Sequence, residues 1–507
     1  MPFDPKKPDL KVGVVGSGAM GRGIVQVTVE GGMACKVFDA APGAAAKAKE
    51  FISGMLGRAA EKGRMTQEAM QAAVANVQVV DRIEDLADCD VVVEAIVEKL
   101  DVKRKVFAQL DALCGPDTIL ASNTSSLSVT EIAAACANKG RVAGLHYFNP
   151  VPLMKLVEVI DAVATEQWVG DALMVLGERQ GRVPVRCGDT PGFIVNHCGR
   201  GFGEAMRILS EGVAKPEDID RVMRDVGQFR MGPFQLSDLT GMDVNFPAGF
   251  AIYEQYFQEP RFRPAVPHKQ RLDAGLLGRK TGAGWYTYAE GQKWHEPEEA
   301  PAPSARPGRV WVSAAEPQGH RALIELFGKL GADIDSGAQP GTGSLCFVTP
   351  VGQDCTTAAV EQGLDPRRTV AVDTVFPLDV RRTLMSNPLT DKEALEAAHG
   401  LLGSDGVPVT VIKDSPGFIA QRIIGHIVNI GCDAAQQRVA APADIDTAVT
   451  LGLNYPYGPL AYGDRVGGAT VLRILRTMCD YTADMRYRPS LWLARRAALG
   501  VSLLTED

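Results

Sequence analysis

Two residues of the sequence, His146 and Glu158, have the types and the spacing of a general base and a carboxylate that orients it. His146 closes the apolar run "RVAGLH", and Glu158 follows twelve residues later between "KLV" and "VI". An imidazole changes its charge near neutral pH, so a positioned histidine can act as a general base. A carboxylate in an apolar run costs free energy to bury unless it is paired, and a histidine is a natural partner. The pattern fits both a base held by an orienting carboxylate and a histidine with a structural role.

A second group of residues has the spacing of a dinucleotide-binding turn. "GSGAMG" (Gly16–Gly21) lies between a predicted strand and a predicted helix, and Asp39 ends the next predicted strand, 18 residues after Gly21. In such a unit the glycines let the backbone approach a pyrophosphate, and the acidic residue accepts hydrogen bonds from the adenosine ribose. Because a carboxylate there repels a 2′-phosphate, the pattern predicts NAD rather than NADP. A tight turn followed by a surface aspartate is the alternative interpretation.

The elements that would position these groups alternate between strands and helices. Apolar runs typical of strands lie at Val12–Val15, Cys35–Ala40, Val77–Val80, Cys89–Ile96, Thr118–Asn123 and Arg141–His146, and a long helical stretch runs to about Ala75. Such alternation indicates parallel pairing with right-handed crossovers. We therefore predict an α/β Rossmann-like, doubly wound sheet over residues 9–188. His146 would then lie at the carboxyl end of a strand, where ligands bind in open α/β sheets.

The rest of the chain contains a repeat. "DTPGFIVN" (Asp189–Asn196) returns as "DSPGFIAQ" (Asp414–Gln421), and Asp220, Gly232 and Asp238 match Asp446, Gly458 and Asp464 at an offset of 226. A duplicated helical unit usually means two copies packed against each other. We predict an all-α domain over 189–294, a linker rich in proline and alanine over 295–309, a degenerate α/β remnant over 310–413 and a second helical domain over 414–507.

Six motifs together resemble the L-3-hydroxyacyl-CoA dehydrogenases over about residues 10–290. They are the glycine turn, "EAIVE" (Glu94–Glu98), "ASNTSSL" (Ala121–Leu127), "GLHYFNPVPLMKLVEVI" (Gly144–Ile160), "DTPGFIVN" and "GRKTGAGWYTY" (Gly278–Tyr288). The C-terminal repeat is similar to that of extended members with a second dehydrogenase-type helical domain, including those of phenylacetate and aromatic-acid breakdown.

The resemblance implies NAD-dependent oxidation of an L-3-hydroxyacyl-CoA to the 3-oxoacyl-CoA, a β-oxidation-type step of fatty acid metabolism. By analogy of architecture, the substrate would be a dicarboxylyl thioester such as 3-hydroxyadipyl-CoA in phenylacetate catabolism. Two alternatives stay open. The first is a 3-hydroxybutyryl-CoA dehydrogenase that works in the reductive direction with NADPH. The second is a non-catalytic structural or binding relative.

The resemblance also implies a role for each matching residue. His146 would be the general base, and Glu158 the carboxylate that orients it and stabilises its protonated form. Ser125 and Asn196 would hydrogen-bond the reacting 3-oxygen and the acyl chain. Lys62, in "EKGRM", would contact the CoA phosphates, with a solvated lysine on a helix face as the alternative. The family's cofactor contacts fall on Gly16, Ser17, Gly18, Ala19, Met20, Gly21, Asp39, Glu98, Lys103, Asn123, Asn149 and Lys280.

The second copy differs at the positions that carry this chemistry. When the two copies are aligned, His146 faces Asp373, Glu158 faces Thr383, and Asn196 faces Gln421, and the second copy has no G-x-G-x-x-G. We therefore predict a non-catalytic second copy. Our hypothesis is that it packs on the first as an internal stand-in for the dimer partner of single-copy relatives.

Composition and charge restrict the class of protein further. A chain of 507 residues is long enough for roughly three folding units, and 46% hydrophobic with 22% charged residues is typical of globular proteins. The net charge is −8 and the sequence has no basic block, which predicts no nucleic-acid partner. It has no C-x-x-C pair, which predicts no metal site, and no long apolar run, which predicts no membrane association. Ten scattered cysteines would be buried thiols. We expect a cytoplasmic protein with a small acyl-CoA substrate, which could form a homo-oligomer.

Overall fold

The structure is a computed structural model, and it describes residues 4–289 and 295–507. The chain forms two compact units. One consists of the residues up to His197 together with Gln437–Leu453, and the other of Cys198–Gln436 with Asn454–Asp507. These units cut the chain at other places than the predicted domain boundaries, which stay a prediction. The predicted boundary at residue 294 lies outside the described residues.

An eight-stranded sheet is the frame of the first unit, with the strand order β3-β2-β1-β4-β5-β6-β7-β8. The strands are β1 (Lys11–Val15), β2 (Ala34–Phe38), β3 (Val77–Val79), β4 (Val91–Glu94), β5 (Ile119–Ser122), β6 (Val142–Tyr147), β7 (Leu156–Asp161) and β8 (Val183–Gly188). Strands β6 and β7 pair antiparallel, and the other neighbours pair parallel. The connection between Tyr147 and Leu156 is too short for the crossover that a parallel pair needs, so the chain folds back.

Seven helices belong to the chain segments around this sheet: α1 (Ala19–Glu30), α2 (Ala44–Glu61), α3 (Gln67–Ala75), α4 (Leu100–Leu113), α5 (Val129–Ala133), α6 (Gln167–Arg179) and α7 (Val195–Cys198). The single helical stretch predicted to end near Ala75 is thus two helices. The break occurs because Gly63 adopts a left-handed backbone conformation, with φ 68°, and because Thr66 caps the start of α3 by accepting the N–H of Ala69.

Apolar side chains cover both faces of the sheet. On β4, Val91 and Val93 belong to one buried cluster, whereas Val92 belongs to another, which also contains Phe107 and Leu110 of α4. Successive residues of a strand point to opposite faces, so a strand buried on both sides is apolar throughout. The first unit is therefore the doubly wound α/β fold that the sequence predicts.

The second unit begins with helices of the first copy. They are α8 (Gly203–Ser210), α9 (Pro216–Asp225), α10 (Pro233–Thr240), α11 (Met242–Gln255) and α12 (Val266–Asp273). A six-stranded sheet follows, made of β9 (Val310–Val312), β10 (Ile334–Asp335), β11 (Leu345–Val348), β12 (Thr369–Val372), β13 (Arg382–Ser386) and β14 (Val409–Ile412), with the order β10-β9-β11-β12-β13-β14. Helices α13 (Pro317–Lys329), α14 (Cys355–Glu361) and α15 (Lys392–Leu402) connect its strands. The segment predicted to be an α/β remnant thus forms a sheet with a buried core of its own.

The last five helices repeat the order of the first copy. They are α16 (Ala420–Gln436), α17 (Pro442–Leu453), α18 (Pro459–Val466), α19 (Gly468–Thr482) and α20 (Leu491–Leu499). Helices α9, α10 and α11 begin 226 residues before α17, α18 and α19, respectively. The second sheet also ends like the first: β12 and β13 pair antiparallel, and the last strand, β14, pairs parallel with β13.

The repeated phrase has the same backbone in both copies. Phe193 and Phe418 have φ values of 51° and 52°, and each follows a glycine with positive φ. The aspartates that open the two phrases also act alike: Asp189 accepts the N–H groups of Val129 and Thr130 at the start of α5, and Asp414 accepts those of Cys355 and Thr356 at the start of α14. The phrase is therefore a structural device that ties a helix start to a sharp turn of the chain.

Within the second unit, helix α16 packs on the first copy. Every residue from Ala420 to Ala435 is buried. A Cβ added to Gly201 would lie 2.5 Å from the side chain of Ile427, so the two segments meet with no room for a side chain between them. The guanidinium of Arg422 donates to the buried carboxylate of Glu204 at 3.0 and 2.6 Å. Apolar packing and a buried ion pair thus join the two copies.

Candidate active site

The sheet brings His146 and Glu158 together. They are direct partners in the antiparallel register of β6 and β7, and Nδ1 of His146 lies 2.7 Å from Oε2 of Glu158. The side chains are buried, with exposed fractions of 7% and 0%. Because a carboxylate only accepts, Nδ1 carries the hydrogen of this bond, and the lone pair of neutral histidine is then on Nε2. That tautomer is the one a general base needs.

The second oxygen of Glu158 is held by the backbone. Oε1 accepts the N–H groups of Ile194 and Val195 at 3.0 and 2.9 Å. Both N–H groups lie at the start of α7, directly after the left-handed Phe193. A buried polar group costs free energy unless it is hydrogen-bonded, and these two donors satisfy this oxygen. The turn of the "PGFI" phrase therefore supplies the donors that hold Glu158.

Ser125 and Asn196 meet at the same edge of the sheet. The side-chain amide of Asn196 donates to the backbone carbonyl of Ser125 at 3.3 Å, and Ser125 is exposed. Asn196 directly follows Val195, whose N–H group binds Glu158. The four residues expected to carry the chemistry thus lie on one connected set of contacts.

Glu98 organises the turn that contains Ser125. Its Oε1 accepts the hydroxyl of Thr124 at 2.7 Å, the N–H of Ser125 at 2.9 Å and the hydroxyl of Ser126 at 3.1 Å. Partial burial opposes ionisation, but the Thr124 hydroxyl and the charge of Lys103 outweigh it and hold the pKa of Glu98 below its usual value. Glu98, expected as a cofactor contact, therefore also fixes the serine turn.

Lys103 points into the protein. Only 1% of its surface is exposed, and its Nζ lies 2.7 Å from Oε1 of Glu94 and 3.2 Å from Oε2 of Glu98. Glu94 is fully buried and also accepts the hydroxyl of Ser122 at 2.7 Å. Lys103 therefore joins two carboxylates beneath the edge of the sheet.

Several supporting residues were missing from the predicted site. Glu94 carries the clearest sequence signal, a charged residue closing the apolar run "VVVE". Asp189 belongs to the repeated phrase, and its Oδ2 also accepts the hydroxyl of Ser128 at 2.7 Å. The donors Ile194 and Val195 had no signal, because backbone N–H groups are common to every sequence. Asn123 was predicted as a cofactor contact, and its side-chain carbonyl accepts the N–H of Tyr147 at 2.8 Å, which ties β5 to β6.

The glycine turn has the shape that a dinucleotide requires. Gly16 has a φ of 99°, and a Cβ on Gly21 would lie 1.9 Å from the carbonyl oxygen of Gly16. A Cβ on Gly18 would meet nothing within 4 Å. The first glycine therefore makes the turn, the third allows close packing, and the second leaves open space at the N-terminus of α1, which begins Ala19-Met20. These residues fit a pyrophosphate.

Asp39 lies beside this turn. Its Oδ2 accepts the N–H and the hydroxyl of Ser17, both at 2.7 Å, and its Oδ1 accepts the N–H of Ala41. Partial burial opposes ionisation, but these hydrogen bonds outweigh it and lower the pKa of Asp39. The carboxylate is ionised at neutral pH, as the ribose contact requires.

Three predicted ligand contacts have no described link to these residues. Lys62 is exposed directly after α2, and Asn149 is exposed after Phe148. Lys280 belongs to the second unit, where its Nζ lies 2.5 Å from a carboxylate oxygen of Asp243. Their roles stay predictions from the resemblance.

Other features bear on the class of protein. In residues 4–289 and 295–507, the structure has no group of three or more potential metal ligands of the His, Cys, Asp and Glu types. None of the helices in those ranges combines the length and the apolar character needed to cross a membrane. Nine of the ten cysteines are buried, and Cys479 is half-buried.

Comparison with known proteins identifies the family. The model of the 3-hydroxyacyl-CoA dehydrogenase NAD-binding domain matches residues 11–190, and that of the C-terminal domain of the same family matches both 192–288 and 417–502. The 3-hydroxyadipyl-CoA dehydrogenase of Escherichia coli is 37% identical over 96% of this chain and 97% of its own. The mitochondrial hydroxyacyl-coenzyme A dehydrogenase of Sus scrofa is 38% identical, but it covers 55% of this chain.

A solved structure has the same fold over nearly the whole chain. It is described as a 3-hydroxybutyryl-CoA dehydrogenase from Escherichia coli, and it matches with a TM-score of 0.83 and 35% identity over 97% of this chain and 98% of that one. The predicted resemblance is therefore confirmed. The chain belongs to the 3-hydroxyacyl-CoA dehydrogenase family.

Proposed function

We propose that this protein oxidises an L-3-hydroxyacyl-CoA to the 3-oxoacyl-CoA, with NAD as the oxidant. The observation that carries the proposal is the buried His146–Glu158 pair at the edge of an NAD-binding sheet. When bound, NAD would accept a hydride from C3 of the substrate. The chain itself supplies the base that takes the hydroxyl proton.

His146 acts on the proton through Nε2. Its Nδ1–H is donated to Glu158 at 2.7 Å, so the imidazolium that forms is stabilised by a carboxylate held in place by two N–H groups. In the reductive direction the same imidazolium returns the proton to the forming alkoxide. Ser125 and Asn196 hydrogen-bond the 3-oxygen and the acyl chain, as donors do in oxyanion sites.

Selection of NAD over NADP follows from Asp39. The carboxylate is ionised and lies beside the glycine turn, where it can accept from the ribose hydroxyls and repel a 2′-phosphate. A parallel assay of acetoacetyl-CoA reduction with NADH and with NADPH tests this choice. A preference for NADPH would contradict it and would favour the reductive alternative.

The acyl group that we favour is 3-hydroxyadipyl. The support is the relative of that name, which matches this chain over both copies. A second candidate is 3-hydroxybutyryl-CoA, because the solved structure with the same fold carries that description. The kcat/KM values for 3-hydroxybutyryl-, 3-hydroxyhexanoyl- and 3-hydroxyadipyl-CoA with NAD decide between them. No turnover of any of the three would favour the non-catalytic alternative and contradict the proposal.

We also propose that the second copy is non-catalytic. Asp373 takes the position of His146 directly after β12, and its N–H donates to the carbonyl of Thr383 at 3.1 Å. Gln421, in the position of Asn196, donates to Asp373 at 2.9 Å. The second copy therefore has no imidazole at this position, and the carboxylate that takes its place is bound by a side-chain amide. The contacts of α16 with the first copy support its role as a stand-in for a dimer partner.

Three finer predictions remain proposals. They are a cytoplasmic location, a place in phenylacetate catabolism and the capacity to form a homo-oligomer. The predicted absence of nucleic-acid and membrane partners is a proposal as well.

A further inference from the structure

Helix α17 belongs to the second copy by sequence, but it lies in the first unit, against β7 and β8. The chain that leads into it joins the edge of the sheet: the carbonyl of Val439 accepts the N–H of Gly188 at 2.8 Å, and Ala440 pairs antiparallel with Cys187. One end of this segment is therefore hydrogen-bonded to β8, which is the neighbour of the strand that carries Glu158.

The other end of α17 reaches the turn that holds Glu158. A Cβ added to Gly452 would lie 2.8 Å from Cγ2 and 3.0 Å from Cγ1 of Val195, and 3.0 Å from Cδ2 of Leu156. Carbon atoms that are not bonded to each other pack at about 3.5–4.0 Å, so a methyl group at this position would push on both neighbours. The corresponding position of the first copy, 226 residues earlier, is Val226. The glycine is therefore not a requirement of the repeated helix itself.

One neighbour of Gly452 binds Glu158, and the other lies on the same strand as Glu158. The N–H of Val195 donates to Oε1 of Glu158 at 2.9 Å, and Leu156 lies two residues before Glu158 on the same strand. A displacement of Val195 would lengthen its hydrogen bond to the carboxylate that holds His146. Gly452 thus meets the side chain of the residue whose backbone amide holds Glu158.

We propose that Gly452 is a positioning residue: by bringing α17 against Val195, it fixes the amide that orients Glu158, and through Glu158 the base His146. The second copy then contributes to the reaction of the first, beyond its contacts in the second unit. This inference rests on the proposed function, since it concerns the base of that reaction. It assigns no chemistry to α17 itself.

The test is the variant Gly452→Ala, with Gly328→Ala in α13 as a matched control. A Cβ on Gly328 would meet nothing within 4 Å. Alanine has the higher helix propensity at both sites, so a loss at position 452 alone points to the contact. We expect kcat for acetoacetyl-CoA reduction to fall about 10- to 100-fold in Gly452→Ala, the effect of a small misplacement of a reacting group. The KM for NADH and the kcat of the control should not change.

Rescue separates positioning from a general loss of stability. Adding Val195→Ala removes both Val195 methyl groups that a Cβ at position 452 would meet, so Gly452→Ala/Val195→Ala should recover most of the lost kcat. Amide hydrogen exchange gives a readout that needs no activity: the exchange of Ile194 and Val195 should be faster in Gly452→Ala than in the wild type. Should Gly452→Ala fail to fold, Val195→Ala alone should lower kcat, because it opens a gap behind the same amide.

The inference is overturned by a wild-type kcat in Gly452→Ala, or by a loss of kcat that Val195→Ala does not reverse. Unchanged hydrogen exchange at residues 194 and 195 overturns it too. Failure of the proposed function gives a different result, because the wild-type protein itself would then not turn over acyl-CoA substrates, whereas the exchange comparison would still be valid.

Discussion

His146 and Glu158 are direct cross-strand neighbours on β6 and β7, with Nδ1 and Oε2 2.7 Å apart. Directly opposite residues of an antiparallel pair have Cβ atoms only about 4.5–5.5 Å apart. The geometry of the pair is thus set by the register of two buried strands. Sites on strands are held more precisely than sites on loops. This relationship is the physical basis of the proposed reaction.

Replacing the base should remove most of the activity. In His146→Gln, we expect kcat for acetoacetyl-CoA reduction to fall by about 10²–10⁴, the usual contribution of a general acid or base. NADH binding, followed by fluorescence titration, should not change. His399→Gln, at a half-buried histidine of α15, is the control. Unchanged turnover in His146→Gln would disprove the catalytic assignment.

Removing the carboxylate beside the glycine turn should change cofactor selection. In Asp39→Ala, the KM for NADH should rise, because the acceptor for the ribose hydroxyls is lost, and the KM for NADPH should fall, because a repulsive charge is removed. We expect a change of about tenfold or more in the ratio of the two kcat/KM values, which corresponds to about 1.4 kcal/mol. Glu68→Gln, at an exposed residue of α3, should leave the ratio unchanged. An unaltered ratio in Asp39→Ala would argue against the NAD assignment.

Asp373, which takes the position of His146 in the second copy, should affect the stability of the protein but not its turnover. Burial raises the pKa of Asp373 to about 6, against the hydrogen bonds from Gln421 and the Val375 N–H. A folded-state pKa above the unfolded value means that stability is greatest at low pH and is lost as the pH rises through about 6. The variant Asp373→Asn cannot ionise and escapes this loss.

Urea unfolding at pH 5 and pH 7.5 measures the effect. At each pH, the free energy of unfolding of Asp373→Asn is compared with that of the wild type. This difference should be about 1 kcal/mol more favourable to the variant at pH 7.5 than at pH 5. The kcat for acetoacetyl-CoA should equal that of the wild type. A large loss of kcat in this variant would show that the second copy is not inert.

The buried ion pair between the copies should be important for stability. Burial opposes ionisation of Glu204, but the guanidiniums of Arg422 and Arg486 outweigh it and lower its pKa. In Arg422→Met, a buried carboxylate loses its closest cation, and we expect a loss of about 3–5 kcal/mol in the free energy of unfolding. Arg473→Met, which breaks the exposed pair with Glu316, should cost about 0–1 kcal/mol. If urea unfolding showed equal losses of unfolding free energy in Arg422→Met and Arg473→Met, the buried pair would be no more important than the exposed one.

The same pair should respond to acid. Because the pKa of Glu204 is lower in the folded state than in the unfolded state, its contribution to stability is present above the unfolded value of about 4.3. This contribution is lost as the pH falls through the folded pKa. Glu204→Gln should therefore reduce the dependence of stability on pH in the acid range, as measured by urea unfolding at several pH values below 5.

Removing the second copy should expose an apolar surface. A chain that stops before Val310 lacks α16, whose residues from Ala420 to Ala435 are all buried. We expect this shortened chain to dimerise or aggregate, as judged by light scattering, and to unfold at a lower temperature. A soluble, monomeric and equally stable product would contradict the stand-in hypothesis.

The sequence allowed the strands and the repeat to be predicted well. All six predicted strand segments overlap observed strands, β1 to β6. Buried strands of a parallel sheet are continuous apolar runs, which makes them visible in the sequence. Two other features were predicted less well. The break between α2 and α3 depends on one left-handed glycine. The antiparallel pairing of β7 follows from a short connection, and hydrophobic periodicity does not show the direction in which a strand runs.

The support of the site depended on contacts that lie far apart in the chain. Glu98 was predicted as a cofactor contact, but its hold on the Thr124–Ser126 turn was not. Glu94 and Asp189 stood in quoted motifs without a role of their own. These roles are side-chain contacts across the sheet edge, and local sequence patterns do not specify which distant groups meet there.

By itself, the sequence determined the family, the glycine turn with Asp39, and His146 with Glu158 as the candidate base and its partner, because each depends on residue types at short, fixed spacings. Only the tertiary structure decided that Glu158 is held by the N–H groups of Ile194 and Val195, and that α17 of the second copy packs behind Val195. Backbone donors have no residue type, and a helix that returns to the sheet from more than 200 residues away along the chain leaves no local pattern. Packing alone brings these groups together.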